Sequence, residues 1–182
     1  VTLGGAVGGA QPLASLTTNA GGTLLVNGGN ITTTGKQTYG DTVSLGADTV
    51  LNGSLVRNDG PVVGNGRSLA IVGDATVSAE ISNVSTFAVS GAATIGGNVA
   101  ATVSQTYSGP ASIDGGNRLL TAPSVTFADT LTGGTNSLAV DGNLAIEGVV
   151  VSMANLNVTG ATSINAASVT TSGTQTYGGL LT

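Results

Sequence analysis

The stretch "SLAVDGNLAIEGVVVSMANLNVTG", residues 137–160, decides the fold. Apolar residues come in short alternating bursts: Leu138/Val140, Leu144/Ile146, Val149/Val151 and Leu156/Val158. Alternation of this kind marks strands with one buried side. Between the bursts stand Asp141-Gly142-Asn143, Glu147-Gly148 and Asn155, residues that make tight turns because they bond their own backbone or tolerate positive φ. Successive strands start about six or seven residues apart, whereas an antiparallel sandwich shows turn signals every ~8–12 residues. Strands this short, joined this tightly, suit a chain wound as a coil. Leu138 is echoed at Leu156, and Val158 at Tyr177, one lap further along the chain. The spacing predicts an all-β parallel β-helix (β-solenoid) with about 20 residues per coil and about nine coils, a rod on the order of 40 Å long at ~4.8 Å per stacked strand.

Composition agrees with that architecture. The 182 residues include 30 glycines, 40% hydrophobic residues and only 3% aromatics. Val, Leu, Ile, Ala, Thr, Ser and Asn dominate, a mixture for strands and turns. A narrow interior favours Ala, Val and Thr over bulky rings. With 7% charged residues and net charge −5, the chain has no basic patch for nucleic acid and no attraction to anionic membranes. No apolar run approaches the ~20 residues of a spanning helix, so membrane insertion is not expected.

A longer period overlies the strands. "SLVRNDGPVVGNGRSLAIVGDATV" from Ser54 aligns on "SVTFADTLTGGTNSLAVDGNLAI" from Ser124, at an offset of 69 for most of its length. Ser68-Leu69-Ala70 falls on Ser137-Leu138-Ala139, and Gly73 on Gly142. The opening residues 1–16 resemble the same unit, and 168–179 restates 30–41. One solenoid segment, 1–182, is therefore expected, with repeats of approximately 1–55, 56–124 and 125–182 and with both ends falling mid-repeat. The repeat of about 68 to 70 residues fits three coils of about 23 or nearly four of about 18. No cap is visible at either end. Unpaired edges template further strands, so the expected partner is either a continuing parent chain or another molecule stacked end to end.

The only three tyrosines sit in one phrase: Gln37-Thr38-Tyr39-Gly40, Gln105-Thr106-Tyr107-Ser108 and Gln175-Thr176-Tyr177-Gly178. In a strand, Gln and Tyr share a side. Facing inward, Tyr39, Tyr107 and Tyr177 would be structural rivets whose hydroxyls, with the amides of Gln37, Gln105 and Gln175, must find partners. Facing outward, they would be an aromatic series for stacking on sugar rings. The rivet is the expectation, with a neighbouring coil supplying partners for Gln.

The phrases "TTTGKQTYGDTVSLGADTVL" (32–51), "VTFADTLTGGTNSLAV" (125–140) and "VGGAQPLASLTTNAGG" (7–22) resemble the repeat shaft of very large filamentous-haemagglutinin-like bacterial exoproteins. That resemblance implies a β-helical adhesin passenger, exported by a two-partner or autotransporter-type route, in an extracellular fibre serving adhesion, biofilm or contact between cells. Asn-Pro motifs of that family's secretion module are absent here, as is Arg-Gly-Asp, so only shaft is represented.

Without His or Cys, Ser/His/Asp and Cys/His catalysis is impossible, and no phosphate loop or metal-ligand motif occurs. No enzyme, cofactor or metal is expected. The carboxylates Asp41, Asp48, Asp59, Asp74, Glu80, Asp114, Asp129, Asp141 and Glu147 mostly flank Gly or Asn and read as solvated turn residues. Lys36, Arg57, Arg67 and Arg118 occupy non-equivalent repeat positions and read as surface solubility. The threonine clusters Thr32-Thr33-Thr34 and Thr170-Thr171 recur about once per long repeat, too sparsely for an ice-binding ladder. The expected function is a structural segment of a fibre or adhesin shaft. The alternative is a β-helix that binds host or matrix glycans or degrades polysaccharide.

Overall fold

A computed structural model describes all residues, 1–182. It contains 21 strands and no helix. All strands join one continuous sheet, the strand pairings are parallel, and the sheet winds on itself. The result is a β-solenoid of about nine coils, each about 19 residues long. Coils differ in length: Ala111 lies over Ala93 in the short ones, whereas near the N-terminus Leu25 lies over Thr2 and Ile31 over Val7.

The chain turns through three faces in each coil. The first face stacks Leu24, Val43, Val62, Ile81, Val99, Leu120, Val140, Val158 and Tyr177. The second stacks Ile31, Leu51, Ile71, Val89, Tyr107, Phe127, Ile146 and Ile164. The third stacks Leu16, Gln37, Val56, Ala75, Ala93, Ala111, Leu131, Val150 and Val169. Most of these side chains, with neighbours on the same strands, form one axial apolar cluster of 37 buried residues. Each buried Val, Leu or Ile contributes roughly 1.5–3 kcal/mol, and it does so only because the next coil covers it.

The long repeat is not a whole number of coils. From Leu69 the inward rows are met in the order Ala75, Ile81, Phe87, Ala93, Val99, Gln105, Ala111, Leu120, Val125, Leu131 and then Leu138, eleven strand steps over three faces. Of three coils of about 23 residues and nearly four of about 18, the second is what forms: the repeat is three and two-thirds coils. Each copy therefore lands one face away from the last. Tyr39 lies on the third face, Tyr107 on the second and Tyr177 on the first.

Local conformation follows the repeat around the axis. Asn65 and Gly66 have φ of 52° and 77°, and their equivalents Gly134 and Thr135 have 57° and 72°. Asn83 and Ser152, also one repeat apart, have φ of 51° and 55°. Gly66 N–H donates to Asn83 O (2.8 Å) and Thr135 N–H to Ser152 O (2.7 Å). Gly73 and Gly142 form equivalent corners at φ of 123° and 139°. A Cβ there would collide with the carbonyl oxygens of Gly53 and Ala122 in the preceding coil, so only glycine fits. The first of these corners joins the second face to the third within Leu69–Val77, and the second joins the first face to the second within Leu138–Ile146.

Aromatic rings enter the interior more readily than composition suggested. Phe87, Tyr107 and Phe127 occupy three successive coils and are fully buried. Tyr107 stacks on Phe127 at 4.9 Å and 12°, and meets Phe87 edge-on at 5.9 Å and 72°. The third face in the same region carries Ala75, Ala93 and Ala111, and the first carries Ala101 and Ala122, all buried. Large rings on one wall thus lie beside alanines on the others, where space is left for them. Truncating Phe127 to Ala is expected to cost about 3–5 kcal/mol, read as a lower urea midpoint with an unchanged slope.

Candidate functional site

The repeated phrase faces inward and builds the same clamp on three faces. Gln37 and Gln175 stand at the start of the strands Lys36–Tyr39 and Gln175–Tyr177, and Gln105 lies beyond the bend within Val99–Tyr107. Gln37 Nε2 donates to Ile31 O at 3.2 Å, Gln105 Nε2 to Val99 O at 2.9 Å, and Gln175 Nε2 to Val169 O at 3.1 Å. Each acceptor lies six residues earlier, on the preceding face. The tyrosine hydroxyl two residues on donates to the amide oxygen: Tyr39 to Gln37 Oε1 at 2.7 Å, Tyr107 to Gln105 Oε1 at 3.0 Å and Tyr177 to Gln175 Oε1 at 2.8 Å. Two copies also reach the next coil, with Gln37 Nε2 donating to Asn52 O at 2.8 Å and Gln105 Nε2 to Thr121 O at 3.0 Å. In two copies a hydroxyl four residues before Gln accepts a further bond, Thr33 from Gln37 and Thr171 from Gln175, both at 3.3 Å; Ala101 cannot do so for Gln105.

Tyr39, Tyr107, Gln37 and Gln105 are buried. They present no ring to a sugar, so an outward aromatic series is not what these residues form. Tyr177 is half-buried and Gln175 exposed, because they lie in the last coil. Burial raises the hydroxyl pKa of all three tyrosines above the usual value near 10. An ionised hydroxyl could no longer donate to the Gln amide oxygen.

The carboxylates sit at corners, as turn chemistry requires, but several act between coils. Asp48 Oδ1 accepts from Ser68 N–H and Asp74 Oδ1 from Ala92 N–H, both at 2.9 Å. Asn98, Asn117, Asn143 and Asn155 take the N–H groups of Leu119, Ser137, Ala161 and Thr174 in the same way. Asp41 departs from the expected solvated turn residue: it is 5% exposed and accepts Gly22 N–H at 2.7 Å. One ion pair, Arg57–Asp59 at 2.7 Å, lies on the surface. No group of three or more carboxylates could hold a metal ion. Three surface hollows of about 250, 340 and 230 Å³ contain none of the Gln or Tyr residues of the phrase.

The coil register files a second set of threonines, apart from the clusters Thr32-Thr33-Thr34 and Thr170-Thr171. Outward positions on the third face run Thr17, Thr38, Arg57, Thr76, Thr94, Ser112, Thr132 and Val151, one per coil. Hydroxyls thus recur in most coils of this face, interrupted at Arg57 and Val151. They stand in single file, since Lys36, Leu55 and Asp74 occupy the strand positions two residues before Thr38, Arg57 and Thr76. A regular two-dimensional hydroxyl lattice is not formed.

Sequence reading missed the aromatic stack, although Phe87, Tyr107 and Phe127 are evenly spaced along the chain and fall in successive coils. It also missed the corner Asx ladder, whose signal is an Asp or Asn one coil before a strand start. Comparison with protein-family models, with characterised proteins and with solved structures finds no match for this chain.

Tyr107→Phe leaves a buried amide oxygen without its donor and is expected to cost about 1–3 kcal/mol. Gln105→Leu strands a hydroxyl and two carbonyls and should cost more. The double variant should recover part of the sum, a coupling read from denaturation midpoints. The pH dependence has a definite sign. Below about pH 10 the tyrosines are neutral in both states and contribute fully. Above it the unfolded chain ionises while the folded chain resists, so stability falls as pH rises. Phenolate absorbance should show Tyr39 and Tyr107 titrating only as the chain unfolds.

Proposed function

We propose that this chain is a structural segment of an extracellular bacterial fibre or adhesin shaft, acting by its length and stiffness. The observation that carries this reading is the single axial core, continuous from Leu24 to Val158. Every inward row stacks one coil on the next. The buried polar groups serve the same end: the Gln–Tyr clamps tie face to face and coil to coil. A second support is the resemblance of 32–51 and 125–140 to the shafts of filamentous-haemagglutinin-like exoproteins, which implies export to the cell surface. In such a role the segment projects a distal binding region or links to neighbours, and needs no cofactor.

The alternative is a glycan-binding or polysaccharide-degrading β-helix. Electron microscopy of the purified chain is expected to show a narrow rod, and a glycan array and reducing-sugar assays on polysaccharides are expected to show neither graded binding nor release. Sugar release abolished by an Asp→Asn change would replace the shaft reading with an enzyme. A compact particle would remove it outright.

A further inference from the structure

Charged side chains avoid one wall of the solenoid over four successive coils. On the second face, from Ser68 to Ala128, every outward residue is Ser, Thr, Ala or Val. The first wall carries Glu80 and Asp141 beside its inward row, and the third carries Lys36 and Arg57. Apolar exposure gathers at the same place. Between Lys36 and Glu147 the exposed large apolar side chains are Val50, Val72, Val103 and Leu119. Val50 and Val72 stand on the second wall, and Val103 lies at the bend that leads into it. The long repeat does not produce this gathering. The counterparts of Ala70 and Val72 are Ala139 and Asp141, which lie on the first wall.

The wall is large enough to hold a partner. Six coils, from Leu51 to Ile146, at ~4.8 Å each, and five residues across at ~3.3 Å make a surface of roughly 29 by 17 Å. Two such walls together remove about 1,000 Å² from water, the size at which a specific interface begins. Short side chains in the central coils let two sheets approach to the ordinary stacking distance of ~10 Å.

The wall is also complementary to itself. Its middle outward row runs Val50, Ala70, Ala88, Thr106, Thr126 and Ala145. A two-fold axis parallel to the strands, midway between the coils of Val89 and Tyr107, makes this row meet itself in reverse. Val50 then meets Ala145, Ala70 meets Thr126, and Ala88 meets Thr106, a larger side chain on a smaller one each time. In the neighbouring row Val72 meets Ala128. A parallel pair would instead set valine on valine and alanine on alanine, crowding one coil and leaving a gap in another. The rim of the antiparallel pair brings Asp48 opposite Asn143 and Asn52 opposite Glu147, so no acid faces an acid. Asn143 Oδ1 is taken by Ala161 N–H, which leaves its amide N–H groups for the facing carboxylate.

We propose that two copies of this chain pack side by side and antiparallel through their second walls, giving a paired rod. Each contact occurs twice, as a two-fold interface requires. The inference rests on the register of the solenoid and not on the shaft reading.

The test is sedimentation equilibrium of residues 1–182 over a wide range of concentration. A mass of twice 17.4 kDa is expected at the upper end. Ala88→Lys and Thr106→Lys, at the centre of the wall, would each bury an unpaired charge. Both should return the mass to 17.4 kDa with an unchanged far-ultraviolet spectrum. Thr94→Lys, outward on the third wall, should leave the pair intact. The chain has no cysteine, so a mixture of Val50→Cys and Ala145→Cys chains treated with a short bismaleimide reads the orientation. Cross-linked pairs are expected in the mixture and none in Val50→Cys alone. Single chains at every concentration, or pairs that survive both wall variants, would overturn the inference and leave the shaft reading standing. Pairs cross-linked in Val50→Cys alone would overturn the antiparallel order. Globular particles in micrographs would remove the shaft reading itself.

Discussion

Every coil of this molecule must fill the same cross-section. The backbone ladder sets neighbouring coils a strand spacing apart, so no coil can swell or shrink without breaking hydrogen bonds to two others. Large inward side chains on one wall are therefore best placed where the other walls carry small ones. The rings of Phe87, Tyr107 and Phe127 share their coils with Ala93, Ala101, Ala111 and Ala122. The same cross-section admits inward polar groups. Gln37 and Gln105 fill space that apolar residues would otherwise fill, and each satisfies its amide on main-chain carbonyls beside the corners, Asn52 O being shared with the N–H of Thr33.

The same constraint explains how a repeat can ignore the coil. A strand step followed by a corner is the true unit, and the three walls of the solenoid offer it nearly the same surroundings. A block of eleven such steps can be copied onto the end of itself whatever face it starts on. The positive-φ turns at Asn65–Gly66 and Gly134–Thr135 show that the copy keeps its backbone even when moved to another wall. What the copy does not keep is its neighbours. Tyr107 lies between Phe87 and Phe127 in the aromatic stack, whereas Tyr39 lies between Thr18 and Asn58 in the backbone register. Identical phrases are thus packed by different residues, and only their own Gln is common to all three.

Strands and corners were legible in the sequence because they are local. Alternation over a few positions, with Asp, Asn or Gly between, sufficed for the parallel β-helix and for a lap of the right size. Gln and Tyr on one side of the strand followed from the same alternation. Register was not legible, because the lap from Val7 to Ile31 is longer than the lap from Ala93 to Ala111 and the difference is absorbed at corners. Without register, the file of threonines on the third face was not seen, and the long repeat was left between three coils and nearly four. Asp41 was read as a solvated turn residue because nothing near it in sequence shows that Gly22 lies beneath it.

An eleven-step repeat has a consequence for what such a rod can present to its surroundings. Where repeat and coil coincide, duplication stacks the same residue on one wall and produces a flat, uniform face. Here duplication sends each copy to the next wall. Thr38, Thr106 and Thr176, the middle residues of one phrase, point outward in three directions. The file of hydroxyls on the third face is therefore assembled from unrelated repeat positions, and Arg57 and Val151 interrupt it. Growth by this repeat does not concentrate a ligand-binding surface on one side. It lengthens the rod and distributes its decoration evenly around the axis, which is the behaviour a shaft requires.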